Sequence, residues 1–572
     1  MATFLELKKN LKKDMTGLKP FKMAVLGDCA TQHLSQALRG EAYERGIALS
    51  VYDADYDEIM AQITDPSSEL YDFAPEAVLI IMCTERLYSD YCRTELAERK
   101  NFADNRIKLI TSLWDRLLSV KGIKVLQPDL PEADDGIYGN FGLKYEDSFI
   151  YQQRRLNFLL MQESAARASV SLINLSTIKS ELGNAFRDDK MYFAARMPFS
   201  MEALPRIAAS VMNTVDSALG RIRKCVVLDL DNTLWGGVIG DDGLSGIEVG
   251  ELGTGRAFHE FQTWLKELKN RGIILAVCSK NNEDTAKEPF EKHPEMVLKL
   301  DDIACFIANW DDKATNIRKI QSILNIGMDS LVFIDDNRFE RELVRSMIPE
   351  ITVPDMPEDP SSYVPYLKSL GLFETTGISA EDAGRTEKYR AEAERVKSMD
   401  SFSDYSEYLK SLEMKAVAAP FDEFHFPRIA ELSQRSNQFN LRTVRYQTVD
   451  IEKMSADDSY ITLYFTLKDR FGDHGLISAV IMKKLEDRVF VDTWFMSCRV
   501  LKRTMEEYII NSMVKAASDA GYDLIEAEYI PTAKNKMVAD IYSKMGFKVM
   551  PDEPGHYLVK PSEFKPLVTY IS

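Results

Sequence analysis

Short apolar runs alternate with longer stretches in which apolar residues recur at helical spacing, and that alternation predicts most of the elements. From Phe21 the segment MAVLGDCAT ends an apolar run in a turn, APEAVLIIMC reads as a second buried strand and SVSLINLS as a third. Between them, CRTELAERKNFADNRIKLITSLWDRLLSV carries apolar residues at helical spacing, so residues of about 20 to 215 are expected to form an α/β domain. A helix over VMNTVDSALGRIRK leads into a second series: strand KCVVLDLD, helix AFHEFQTWLKELKNRG, strand IILAVCSKN, a helix around KATNIRKIQSILNIG and strand SLVFIDDN. This β/α alternation predicts a doubly wound parallel sheet.

Proline-rich ITVPDMPEDPSSYVPYL and the region of Gly377 mark a linker, because proline removes ladder donors and favours extended chain. A charged helix, SAEDAGRTEKYRAEAERVKSM, opens the last region. There YITLYFTLKD, GLISAVIMKK and RVFVDTWFMS read as successive strands, followed by a helix, a strand near DLIEAEYI and the segment NKMVADIYSKMGF, a mixed α+β unit. The expected architecture is a multidomain α/β protein with boundaries at 1–215, 216–372 and 373–572 and a central Rossmann-like sheet. A chain of 572 residues is too long for one core, which supports three domains.

Composition narrows the class. With 45% hydrophobic and 28% charged residues the chain is that of a soluble globular protein. A formal charge of −18 works against long-range attraction to nucleic acid or anionic membranes, so neither is expected as a partner. The opening MATFLELKKNLKKDM lacks the apolar core of a signal peptide, and no stretch approaches about 18 consecutive apolar residues; a cytoplasmic protein is expected. Seven cysteines without a CxxC pair fit reduced thiols.

The candidate chemistry sits at the ends of the central strands. VVLDLDNTLWGG puts Asp229 and Asp231 just beyond a strand, where open parallel sheets form their ligand crevice. One carboxylate can attack phosphorus while the other protonates the leaving group and then activates water. Thr233 is expected to orient the acid through its hydroxyl, and backbone N–H groups of the turn can bind phosphate oxygens. The next strand ends in Ser279, whose hydroxyl can donate to a phosphoryl group, and Lys313 opens a helix where its charge can neutralise the transferring group. A later strand ends in Asp335 and Asp336, oxygen ligands suited to complete a Mg²⁺ site with Asp229.

DLDNT, CSKN, WDDKATN and FIDDNRFER, in this order, resemble the four motifs of haloacid dehalogenase phosphatases. The resemblance implies an aspartyl-phosphate on Asp229, acid/base action by Asp231 and phosphate binding by Thr233, Ser279 and Lys313. It further implies Mg²⁺ held by Asp229, the Asp231 carbonyl and Asp335 or Asp336, with Asp336 preferred. The intervals between motifs hold little beyond the flap WGGVIGDDG and one helix each, so no large cap is expected.

The whole chain resembles FkbH-like proteins, through WGGVIGDDG, LAVCSKN, LSQRSNQFNLRTVRY, FGDHGLISAVI and SCRV. That family implies a phosphorylated acyl donor such as 1,3-bisphosphoglycerate, from which a glyceryl group passes to the thiol of an acyl carrier protein. Cys278, beside Ser279, is either a core thiol or an acyl relay. The first domain resembles an SGNH hydrolase in which LGDCAT places Cys29 at the nucleophile position; His33 comes too early in the chain to serve as its base, so that domain is expected to be non-catalytic. The last domain resembles a GNAT acyltransferase, with Lys502 and Thr504 where its pyrophosphate loop carries glycines, Lys502 and Arg503 as phosphate attractors, and Asn437, Gln438, Asn440 and Arg499 as acyl or substrate contacts. The alternative reading is an interaction scaffold for polysaccharide or lipid modification with a residual phosphatase centre.

Overall fold

The computed structural model describes the chain except residues 1, 379–384, 400, 401, 403, 533 and 552 and the side chains at 392, 396, 397, 399 and 499. Two compact units are present. The first comprises Met1–Ile222 with Gly371–Gly377, the second Arg223–Leu370 with Ile378–Ser572.

The first unit is built on five parallel strands: β1 (Lys19–Gly27), β2 (Ile47–Asp53), β3 (Ala77–Ile81), β4 (Lys124–Pro128) and β5 (Val170–Ile173), in the order β2-β1-β3-β4-β5. β3 is buried along its whole length, as expected of a strand covered on both faces. The sequence pattern misses β2 and β4. In β2 the apolar side is interrupted by half-buried Tyr52 and Asp53, and in β4 a buried Gln127 breaks the apolar run. Gln127 is satisfied there: its Nε2 donates to Ile80 O at 3.3 Å and Pro128 O at 3.2 Å.

The second unit carries two sheets. β6 (Cys225–Leu228), β7 (Ile274–Ser279), β8 (Ile303–Ala308) and β9 (Leu331–Ile334) are all parallel in the order β8-β7-β6-β9, giving the expected doubly wound arrangement. The other sheet contains β10 (Lys415–Ala419), β11 (Tyr460–Asp469), β12 (Gly472–Lys484), β13 (Val489–Met496), β14 (Ile525–Glu528), β15 (Lys548–Val549) and β16 (His556–Val559), ordered β10-β11-β12-β13-β14-β16-β15. Every pair in it is antiparallel except β13 and β14, whose parallel pairing requires the crossover helix Met505–Asp519.

The charged helix of the linker region, Arg385–Met399, joins these two sheets. Tyr389 packs into the core of the β6–β9 sheet with Ile317 and Phe333, while Arg395 is buried against β11 in a bidentate pair with Asp469, at 2.6 and 2.8 Å. No helix among the described residues is long and apolar enough to cross a membrane.

Candidate phosphoryl-transfer site

The chain runs from β6 to β7 and β8 on one side and returns to β9 on the other, so the carboxyl end of β6 is a topological switch point. Asp229 stands there, buried at 7% exposure. Asp335 and Asp336 follow β9, Ser279 ends β7, and Lys313 is the first residue of the helix Lys313–Leu324 after β8. Four loops that are far apart in sequence therefore converge on one crevice.

Lys313 Nζ lies 2.8 Å from Asp229 Oδ2 and 2.5 Å from Asp335 Oδ2. Burial opposes its charge, but the two carboxylates outweigh it and push the ammonium above the usual lysine range. Burial, followed by the charge of Asp229, pushes Asp335 up to about 7, and the same two causes raise Asp336. Ligand oxygens of Asp229, Asp335 and Asp336 all fall within 4.8 Å of one another. Three carboxylates against one lysine leave an excess of negative charge in a buried, all-oxygen setting, which fits a hard divalent cation. Asp335 is committed on both oxygens, to Lys313 and to the N–H of Asn337 at 2.8 Å. Asp336 has an oxygen, Oδ2, without a protein partner among the described residues, while its Oδ1 accepts from Thr233 at 3.2 Å.

Asp231 is held by groups that the motif reading passed over. Its Oδ1 accepts from Trp235 Nε1 at 3.0 Å and from the N–H of Ile239 at 2.9 Å, and its Oδ2 accepts from Asn281 Nδ2 at 2.8 Å. Thr233 does not orient Asp231 as expected. Asn232 takes a left-handed backbone (φ 53°), which short polar side chains tolerate, and the turn carries Thr233 toward β9, where it also accepts from the N–H of Asp336 at 3.1 Å. Ser279 is 2% exposed and its Oγ accepts from Asn281 at 3.3 Å, so Asn281 bridges the expected acid and the expected phosphate ligand. Trp235 and Asn281 belong to the segments DLDNTLWGG and CSKN, and the polar atoms of their side chains in the loops that follow β6 and β7 are the signal that could have found them.

Cys278 is corrected as an acyl relay. It is fully buried, its Sγ sits 3.7 Å from Lys313 O among Ala314, Ile317 and Phe333, and burial pushes the thiol well up. Strand alternation turns it from the cleft that Ser279 faces. No large cap stands over the site: between β6 and β7 are the short helix Ile239–Asp242, a Gly236–Glu248 bridge and the helix Gly253–Asn270.

In the last sheet, β13 and β14 pair only from Val489 to Val491 and then diverge. The gap is filled by the chain itself. The N–H of Leu441 donates to Trp494 O at 3.2 Å, that of Met496 to Phe439 O at 3.1 Å, and that of Ile530 to Leu441 O at 2.9 Å. Asn440 is fully buried, its Oδ1 taken by the N–H of Thr443 at 2.8 Å and its carbonyl by Asn535 Nδ2 at 3.0 Å. Asn437 Oδ1 accepts from Arg445 at 2.5 Å. Asn437 and Asn440, expected as substrate contacts, are therefore committed to their own loop. Gln438 lies near Gly327 of the loop before β9. Arg499 has its backbone in the turn Cys498–Val500, and its side chain lies outside the described residues.

Lys502 and Thr504 both take φ of 61°, the backbone that glycine favours. The N–H of Lys502 is already bonded to Glu506 Oε1 at 3.0 Å. Arg503, expected to attract phosphate, turns inward instead and is buried beside His474 at 3.3 Å and Asp469 at 3.7 Å, where the carboxylate draws it.

The comparisons with known proteins follow the same division. The family model described as "FkbH, N-terminal domain" matches residues 22–216. A solved structure, the N-terminal part of the protein BF1531 from Bacteroides fragilis containing a phosphatase domain complexed with Mg, is 45% identical, with a TM-score of 0.64, over 66% of this chain and 100% of that one. The chain belongs to the FkbH-like family. Members of the GNAT fold match the last region at much lower likeness. The ribosomal-protein-S18-alanine N-acetyltransferase from Escherichia coli is 11% identical over 25% of this chain and 93% of that one, with a TM-score of 0.20. The GNAT domain of S. lividans PAT is 17% identical over 25% and 89%, with a TM-score of 0.21. No curated protein matches the chain. In the family frame the first domain is a parallel α/β unit, and none of the matches bears on its expected SGNH likeness.

Proposed function

We propose that the protein is a Mg²⁺-dependent phosphatase acting through an aspartyl-phosphate on Asp229, and that its substrate is a phosphorylated acyl group, phosphoglyceryl or similar, destined for the thiol of an acyl carrier protein. The observation that carries the first part is the convergence of Asp229, Asp231, Lys313, Asp335 and Asp336 at the carboxyl end of β6.

Asp229 attacks phosphorus and the bond to the leaving oxygen breaks. Asp231, fixed by Trp235, Ile239 and Asn281, gives that oxygen a proton and then takes one from the water that hydrolyses the aspartyl-phosphate. Lys313 faces the phosphoryl oxygens with a charge that Asp229 and Asp335 sustain against burial, and Ser279 donates a hydrogen bond. Held by Asp229, Asp335 or Asp336 and the Asp231 carbonyl, Mg²⁺ supplies Lewis-acid neutralisation of the phosphoryl charge.

The second part rests on membership of the family and on the uncapped site, which admits a bulky, carrier-borne substrate. The carrier thiol attacks the acyl carbon of 1,3-bisphosphoglycerate and expels inorganic phosphate; hydrolysis of the remaining phosphomonoester at Asp229 leaves a glyceryl thioester and a second phosphate. With Cys278 sealed in the core, the carrier thiol reacts directly. Incubation of the protein with Mg²⁺, 1,3-bisphosphoglycerate and carrier proteins from the same gene neighbourhood should add a glyceryl mass to a phosphopantetheine thiol, and Cys278→Ser should still load. A phosphatase that turns over aryl phosphate while no carrier is loaded would leave the first part standing and remove the second. The scaffold reading is favoured only for the last domain, whose cleft is filled by its own chain.

A further inference from the structure

In the first unit the chain leaves β1 for β2 on one side and reaches β3 on the other, so the carboxyl ends of β1 and β3 form a second switch-point crevice. Gly27 lets the chain turn sharply there, since a Cβ on it would stand 2.5 Å from Thr31 Cγ2. The turn brings Asp28 and Cys29 from the end of β1 against Cys83 from the end of β3. One ligand atom from each of the three falls within 4.8 Å of the others.

Hydrolase chemistry does not account for this cluster. It contains no histidine, and His33 is stacked on Phe4 at 5.6 Å with nearly parallel rings. Nor is simple core packing sufficient. Cys29 and Cys83 are 3% and 5% exposed, yet the two thiols lie against the part-buried carboxylate of Asp28, whose ligand atom falls within 4.8 Å of theirs. Asp28 Oδ1 accepts from the N–H of Cys83 at 2.8 Å, which fixes the carboxyl plane in the way outer hydrogen bonds orient metal ligands.

We infer that Asp28, Cys29 and Cys83 form a binding site for a thiophilic divalent cation of the zinc type, with two thiolates, one carboxylate and a fourth position open to water or ligand. Two sulfurs and one oxygen match zinc and cobalt, whereas the all-oxygen set of Asp229, Asp335 and Asp336 matches magnesium. Binding releases the two thiol protons, so it strengthens as pH rises. No electron transfer is involved.

The test uses the full chain, stripped of metal and kept reduced, titrated with Co²⁺ under an optical readout that the oxygen site cannot give. About one equivalent should produce a thiolate-to-cobalt charge-transfer band and the strong visible bands of a tetrahedral ion, and Zn²⁺ should abolish both. Cys29→Ser and Cys83→Ser should each remove the charge-transfer intensity that their sulfur contributes and weaken binding by at least about tenfold, the lower end of the loss seen when even an outer-shell partner of a ligand is removed. Asp28→Asn should weaken binding while keeping the band, and Asp229→Asn should leave it unchanged. Circular dichroism confirms that each variant is folded. The assignment is overturned if the wild-type protein shows no thiolate band, or if the band is undiminished in folded Cys29→Ser. Recovery of a Cys29–Cys83 disulfide from protein isolated without reductant, with no cobalt band after reduction, would make the pair redox-active and also overturn it.

Discussion

The crevice beyond β6 and the gap beyond β13 both arise where neighbouring parallel strands stop pairing, and they are provisioned differently. Beyond β6 the strand ends present carboxylates, a lysine and a hydroxyl, with charge left over for a cation. Beyond β13 the backbone groups that a ligand arm would need are already paired with Phe439 and Leu441, and both side chains are buried. An extended arm with amides, such as phosphopantetheine, would bind such a gap by adding itself as a strand. Here the chain's own loop plays that part. What separates the two clefts is the provision of their walls, not the sheet beneath them.

The sharpest test of the difference is substitution at the first cleft. Asp229→Asn should lower phosphatase kcat by at least about 10³-fold while the protein remains folded by circular dichroism, because an amide cannot attack phosphorus. Measurable turnover in that variant, free of contaminating phosphatase, would break the assignment. Asp231→Asn should cost about 10² to 10⁴ in kcat, the range for a lost general acid/base, and Asn281→Ala should cost less, since Trp235 and Ile239 still hold the acid.

Lys313→Met links the site's charge to stability. It removes the cation that bridges the carboxylates of Asp229 and Asp335, so the metal-free protein should lose about 3–5 kcal/mol in urea unfolding, as when one partner of a buried ion pair is deleted. Mg²⁺ at saturating concentration should restore part of that stability through binding to the folded state. No restoration by Mg²⁺ would show that the carboxylates do not form the cation site.

The central motifs were legible because Asp229, Ser279 and Asp335 each follow or end a short apolar strand: VVLDLD, LAVCS and LVFID announce both the strand and the residue it delivers. Partnership was less legible. That Thr233 serves Asp336 and not Asp231 depends on the left-handed turn at Asn232, and that Trp235 and Asn281 hold Asp231 depends on which loops meet. β8 went unseen because IACFIA is a short apolar run with neither alternation nor a motif to mark it. In the last domain, SNQFN looked like a polar recognition word, yet its register against β13 and β14 is a tertiary fact. Asn440 there pairs through its side chain and its carbonyl with groups that burial would otherwise leave unpaired.

At the second cleft the effects should appear in stability and leave the chemistry alone. Phe439→Ala removes a buried ring packed edge-on against Trp494 at 4.9 Å and should cost about 3–5 kcal/mol, while Asn440→Ala should cost about 1–3 kcal/mol by orphaning the N–H of Thr443. Hydrolysis of an aryl phosphate by either folded variant should stay within about twofold of the parent. A large fall in kcat with retained folding would mean that the loop serves the phosphatase site after all.

The smallest expected effect is that of coenzyme A on the unmodified protein. For a pantetheine arm to enter beyond β13, Phe439 and Leu441 must leave, breaking the three backbone bonds that join them to Trp494, Met496 and Ile530. Re-exposing each side chain costs about 1.5–3 kcal/mol, and the incoming arm would regain only hydrogen bonds of the kind it broke. At the pyrophosphate loop the N–H of Lys502 must first give up Glu506. The dissociation constant should therefore exceed about 1 mM, and 1 mM coenzyme A should stabilise the protein by less than about 0.4 kcal/mol, a shift of the melting transition near the limit of detection. A stabilisation that grows with the logarithm of coenzyme A concentration would show that the loop yields. If Phe439→Ala then bound the coenzyme more tightly than the parent, the segment would act as a displaceable plug rather than a permanent strand.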